Sequence, residues 1–148
     1  MTADKLKTFD VLIEIPRGSR NKYEYDFKIR RMRFDRMLFS SMMYPADYGF
    51  IPETLCDDGD PLDVLVMCQE PLIPGCIVDV RPICYMVMED EKGRDEKLLA
   101  VVNVGFPNKT NTPLAINPNT ILTITAFMQW LQHIPRWYSQ IQYNGCSM

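Results

Sequence analysis

The chain has 148 residues, with 16 basic and 19 acidic side chains, five Cys and one His. That length fits one domain, and 47% hydrophobic with 24% charged residues excludes a wholly disordered chain. A net charge of -3 argues against a protein that coats nucleic acid by bulk charge, and one His excludes a His-rich metal centre and weighs against a Ser-His-Asp triad.

At the N-terminus, Asp4, Lys5 and Lys7 interrupt any apolar run, so the segment does not read as a secretory signal. No apolar stretch approaches the ~20 residues that span a bilayer. The five Cys form no C-x-x-C pair, which speaks against zinc and a disulfide framework and for reduced thiols in a cytoplasmic protein.

In chain order, Val11, Ile13 and Ile15 alternate with Asp10, Leu12 and Glu14, the pattern of a half-buried strand ended by Pro16–Gly18. Lys22, Glu24 and Asp26 alternate with Tyr23, Tyr25 and Phe27, which predicts a second strand. Residues 30–39 read as a third, with Met32, Phe34, Arg36 and Leu38 on one face. Residues 62–68, 76–88 and 97–104 are β-rich runs. Only 118–133 has a helical pattern, capped by Asn117 or Asn119. Many short strands followed by one helix predict a small β-barrel or sandwich with a packed helix.

All 19 carboxylates precede residue 101, so carboxylate chemistry belongs to that part of the chain. Asp57, Asp58, Asp60 and Asp63 crowd into seven residues, with Gly59 and Pro61 permitting a turn that draws them together. A hard cation such as Mg²⁺, which prefers oxygen ligands, gives such repelling groups a reason to converge. Alone, the loop reads equally as a solvated acidic turn. It is not an EF-hand, because Asp63 stands where that loop needs Gly and Gln69 where it needs Glu. A second acidic stretch covers 89–97. A hairpin turn at Lys92-Gly93 would set Asp90 opposite Asp95, which is unfavourable without a cation between them. Lys97 shares the face of Asp95.

Arg36 on an apolar face is unusual and would be satisfied by a phosphate, or by pairing with Asp35 or Glu14. Tyr48 is either a phenolic donor or a core ring.

These residues together resemble the family I soluble inorganic pyrophosphatases. The resemblance rests on Ile13-Glu14-Ile15-Pro16-Arg17-Gly18, Asn21-Lys22-Tyr23-Glu24, Asp35-Arg36, Tyr44-Pro45 and Asp47-Tyr48-Gly49-Phe50-Ile51-Pro52. Asp58-Gly59-Asp60-Pro61-Leu62-Asp63-Val64 matches the family's aspartate motif, and Pro74-Gly75, Arg81-Pro82 and the Asp90, Gly93, Asp95, Lys97 set follow in order. These motifs span about residues 9–102. The resemblance implies a mainly β domain with some α, a five-stranded, OB-like closed β-barrel over about 9–104 with a flanking helix. It implies Mg²⁺-dependent hydrolysis of pyrophosphate to two phosphates, several ions per site, with Mn²⁺ or Zn²⁺ as substitutes.

By the same resemblance Asp58, Asp63 and Asp95 hold the first metal, and Asp58 bridges to a second. Asp60 orients or deprotonates the attacking water. Asp90 is the rival for that role and a ligand of a further metal. Glu14 and Glu24 are outer members of the carboxylate cluster, and Lys22, Arg36, Tyr48 and Lys97 bind phosphate. The partners implied are pyrophosphate and phosphate, with neither nucleic acid nor membrane.

Residues 105–148 depart from the motif pattern. Aligned on the family's helix, Leu131 and Gln132 replace a phosphate-binding Tyr-Lys pair, and no Lys follows Lys109. The stretch reads as a divergent, truncated or frame-shifted part of a single 1–148 domain. Two expectations follow: reduced activity, or in the extreme a protein that binds metal and pyrophosphate without efficient turnover, and a homo-oligomer smaller than the family's usual hexamer. An OB-type oligonucleotide binder, stacking bases on Tyr23, Tyr25 and Phe27, is disfavoured by the acidic cluster.

Overall fold

The structure, a computed structural model, describes residues 8–38, 41–90, 93–103 and 138–142, and of 88–90, 93 and 138–142 the backbone only. Among these residues the secondary structure is all β: β1 Phe9–Ile15, β2 Asn21–Asp26, β3 Arg31–Met37, β4 Asp47–Phe50, β5 Asp63–Met67, β6 Ile77–Asp90, β7 Gly93–Val102 and β8 Tyr138–Gln142. The helix expected over 118–133 lies outside the described residues.

Strand pairing runs β1-β4-β5-β7-β6-β8, and β1 also pairs with β6. Five strands, β1, β4, β5, β7 and β6, therefore close into a ring by backbone hydrogen bonds. All neighbours in it are antiparallel except β5 and β7, which are parallel. β2 and β3 form a separate antiparallel hairpin packed beside β1.

β5 shows why the ring holds. Val64 and Val66 lie in one buried cluster with Val11, Ile13 and Val80, while Leu65 and Met67 lie in another with Ile15, Leu99 and Val101. A strand buried on both faces needs a continuous apolar run, and Val64–Met67 supplies it. β4 approaches β1 so closely that any side chain at position 49 would strike the Leu12 carbonyl, so only Gly fits there.

Two expectations about faces change. The register between β2 and β3 slips: Lys22 faces Arg36, but Tyr23 faces Phe34. Asp35 is the extra residue, and this interruption of period two takes Arg36 off the Met32–Phe34 row. Its side chain is 69% exposed, with Asp35 at 3.8 Å, so it is not buried on an apolar face. Likewise β6 ends at Asp90 and β7 starts at Gly93, pairing Asp90 with Gly93 and Met88 with Asp95. Asp90 and Asp95 are not cross-strand partners. This register spares Asp95 a carboxylate directly opposite.

Candidate active site

The polar cluster sits at one end of the core that contains Leu65 and Leu99. By period two, Asp63 shares a face of β5 with Leu65, and Lys97 shares a face of β7 with Leu99. The parallel register sets Asp63 beside Lys97.

Lys97 is the hub and is only 7% exposed. Its Nζ donates to Asp63 Oδ2 at 2.7 Å and to the Tyr48 phenol at 2.9 Å, and lies 3.3 Å from Asp95 Oδ2. Burial pushes the ammonium toward neutrality, but Tyr48, Asp63 and Asp95 outweigh it and hold its pKa well above the usual range. Lys97 stays charged. The Tyr48 phenol is raised well above its ordinary value, by burial first and then by Asp63, so it remains a proton donor.

Asp95 is pushed up by burial, with Asp63 and Asp58 adding to the shift and Lys97 opposing it. Asp58 stands in the turn after β4, where Gly59 adopts φ +84° and its N–H donates to the Cys56 carbonyl at 2.9 Å. Asp58 Oδ1 accepts from the Asp60 N–H at 3.0 Å. Asp60 itself is exposed at the rim.

Glu14 reaches the same cluster through an irregularity. Ile13 pairs with Gly49 and Ile15 with Tyr48, so the register slips across Glu14. Its Oε1 accepts the Tyr25 N–H at 2.8 Å, tying β1 to the hairpin. Burial, more than the neighbouring Asp63 and Glu24, raises its carboxyl to about 7. Lys22 Nζ meets Glu24 at 2.6 Å and Asp35 at 3.3 Å. Burial would lower that ammonium, but these two carboxylates hold it above its ordinary value.

The structure thus joins Asp63, Asp95, Lys97 and Tyr48 directly, with Asp58 and Glu14 within electrostatic reach. Glu24 and Lys22 form an adjoining pair, Arg36 lies exposed on the same hairpin, and the Asp90 side chain lies outside the described residues.

Three neighbours have roles that the sequence did not suggest. Asp35 pairs with Lys22. Tyr44 is buried edge-on to the Tyr48 ring at 5.7 Å, and its phenol is raised by burial. The Cys56 thiol is raised by burial and by Asp58, which places it at the rim of the carboxylates. The Asp35-Arg36 and Tyr44-Pro45 motifs carried a signal for the first two, and nothing in the sequence singled out Cys56.

A hard divalent cation suits the donor set. Burial first, with Asp63 adding to it, raises both Asp95 and Glu14, and a cation among these carboxylates would offset both costs. Among the described residues no three acidic, Cys or His groups are placed so as to hold a metal ion, and the Lys97 ammonium lies between Asp63 and Asp95 instead.

The inorganic pyrophosphatase family matches residues 11–145. The chain belongs to the inorganic pyrophosphatase family. It is 65% identical over 125 residues to an inorganic pyrophosphatase of Methanosarcina acetivorans, covering 84% of this chain and 74% of that protein. Identity to an inorganic pyrophosphatase of Methanosarcina mazei is 52% over 127 residues, covering 85% and 75%. Among solved structures, an inorganic pyrophosphatase from Coxiella burnetii superposes with a TM-score of 0.82 at 37% identity, over 97% of this chain and 88% of that one. The pyrophosphatase match continues well past residue 102, so the stretch from 105 that the motifs left out of pattern aligns with the family as far as 145.

Proposed function

We propose that this enzyme hydrolyses inorganic pyrophosphate to two phosphates at the Lys97 cluster, with Mg²⁺ as its metal. The observation that carries the reading is the pair of contacts from Lys97 Nζ to Asp63 at 2.7 Å and to Asp95 at 3.3 Å. A cation suited to phosphate and carboxylates suited to a metal meet at one point, which is what phosphoryl transfer requires.

In this reading Asp58, Asp63 and Asp95 hold the metal, with Glu14, Glu24 and Asp90 further out. Magnesium, or Mn²⁺ or Zn²⁺ in its place, would supply charge neutralisation and a more acidic water. Lys97, Lys22 and Arg36 bind phosphate oxygens as point charges and a planar fork, and Tyr48 donates its phenolic proton to one of them. Asp60, exposed at the rim, accepts a proton from the attacking water, with Asp90 as the rival for that step. Need for positioning and charge, rather than a covalent nucleophile, explains a site without His or Cys attack.

The five-stranded ring is read as an OB-like closed barrel. The five cysteines form no C-x-x-C pair, a spacing that supports a reducing, cytoplasmic setting. No helix among the described residues is long and apolar enough to cross a membrane. Nothing on the described residues favours the reading without efficient turnover.

Phosphate release from pyrophosphate tests the proposal. Two phosphates per pyrophosphate with Mg²⁺, stopped by a chelator, is the expected result. No release at any metal concentration would overturn it.

A further inference from the structure

One buried acid near the site has no part in the chemistry above. Asp47, the first residue of β4, is fully buried. Its Oδ1 accepts two backbone N–H groups, from Arg17 at 2.8 Å and Leu72 at 3.1 Å. Oδ2 is buried and has no hydrogen-bond partner among the described residues. The Arg17 guanidinium does not take that oxygen as its hydrogen-bond acceptor and donates instead to the Gln69 carbonyl at 2.6 Å.

These contacts join three segments. Arg17 lies in the turn that follows Glu14 and Ile15, and Leu72 and Gln69 lie in the connection between β5 and β6. Asp47 ties both to the start of β4. Residue 48 then points to the opposite side of the strand. There Tyr48 meets Lys97 at 2.9 Å and stacks edge-on with Tyr44. A buried carboxylate with an unused oxygen is costly, and apolar residues fill such space more cheaply. What Asp47 supplies here is the direction of its two bonds, to the Arg17 and Leu72 N–H groups, rather than packing.

We propose that Asp47 is a positioning residue for pyrophosphate hydrolysis, fixing the start of β4 so that the Tyr48 phenol is presented to Lys97 and the substrate. The inference rests on the function proposed above.

The test is a double-mutant cycle of Asp47→Ala and Tyr48→Phe, with Asp47→Asn as the conservative variant. Each is read by kcat and KM and, separately, by calorimetric affinity for the non-hydrolysable analogue imidodiphosphate with Mg²⁺. Asp47→Ala and Tyr48→Phe should each lower kcat/KM by roughly 10- to 100-fold. The double variant should lose no more than the worse single one. Asp47→Asn, which keeps the Oδ1 acceptor, should stay within about 3-fold of the parent.

Multiplying losses in the double variant would overturn the proposal, because the two residues would then act independently. So would a lowered Tm with unchanged kcat/KM in Asp47→Ala, the mark of a merely structural acid. If Asp47→Ala does not fold, Asp47→Ser enters the same cycle. An inactive parent enzyme would sink the proposed hydrolysis, while the analogue affinities would still decide the coupling between Asp47 and Tyr48.

Discussion

Lys97 Nζ and Asp63 Oδ2 lie 2.7 Å apart although 34 residues separate them in the chain. The parallel pairing of β5 with β7 makes that contact, and the same ammonium reaches Asp95 and the Tyr48 phenol. Lys97 therefore stands where carboxylates would otherwise confront each other.

Lys97→Met should expose that confrontation. Without Mg²⁺ the variant is expected to lose about 1–3 kcal/mol of stability, less than the ~3–5 typical of a fully buried broken pair because water reaches Asp63. Added Mg²⁺ should raise the Tm of the variant by more than it raises that of the parent, since a cation then replaces the missing charge. Thermal melts with and without Mg²⁺ check this. Equal Mg²⁺ shifts in both proteins would argue against the shared site.

Glu14 gives the metal-free protein a pH dependence of known sign. Its carboxyl is raised from 4.5 to about 7, chiefly by burial. The folded state therefore resists ionising a group that the unfolded chain ionises readily. That contribution to stability is full below about 4.5, falls as pH rises toward about 7, and is flat above. It amounts to no more than about 3 kcal/mol. Denaturant melts of the metal-free protein should show this loss between those pH values, and Glu14→Gln should reduce it. An unchanged slope in Glu14→Gln would assign the dependence to other groups.

Gly59 separates Asp58 from Asp60 at φ +84°. No atom would obstruct a methyl group there, so the cost of a side chain is conformational. Gly59→Ala should destabilise by about 1–2 kcal/mol and weaken Mg²⁺ binding as Asp58 turns away from Asp63 and Asp95. Calorimetric titration of Mg²⁺ reads the second effect. Unchanged affinity would mean that the turn does not place Asp58.

Period two made β1 legible as far as Ile13 and β2 throughout: Val11 and Ile13 face one core cluster, the slip at Glu14 turns Ile15 into the other, and the charges of β2 alternate with rings. β4 was harder to read. It has four residues, one of them Gly49, too few for a pattern. The site was legible as a list of residue types before it was legible as geometry. Its residues are brought together by non-local pairing and by slips of register at Glu14 and Asp35, which a one-dimensional period does not encode. The β6–β7 register failed for a related reason: moving the strand ends to Asp90 and Gly93 changes every partner, including that of Asp95. Family likeness out to residue 145 came from overall similarity, where the Tyr-Lys motif had given no foothold.

In the proposed function the Asp58–Lys97 cluster carries hydrolysis and Asp60 handles the attacking water. Phosphate release at saturating Mg²⁺ by Asp60→Asn, measured beside the parent, tests it most directly. A fall in kcat of about 10²-fold or more is expected, with imidodiphosphate affinity within a few-fold of the parent. Parent-like turnover in Asp60→Asn would contradict it.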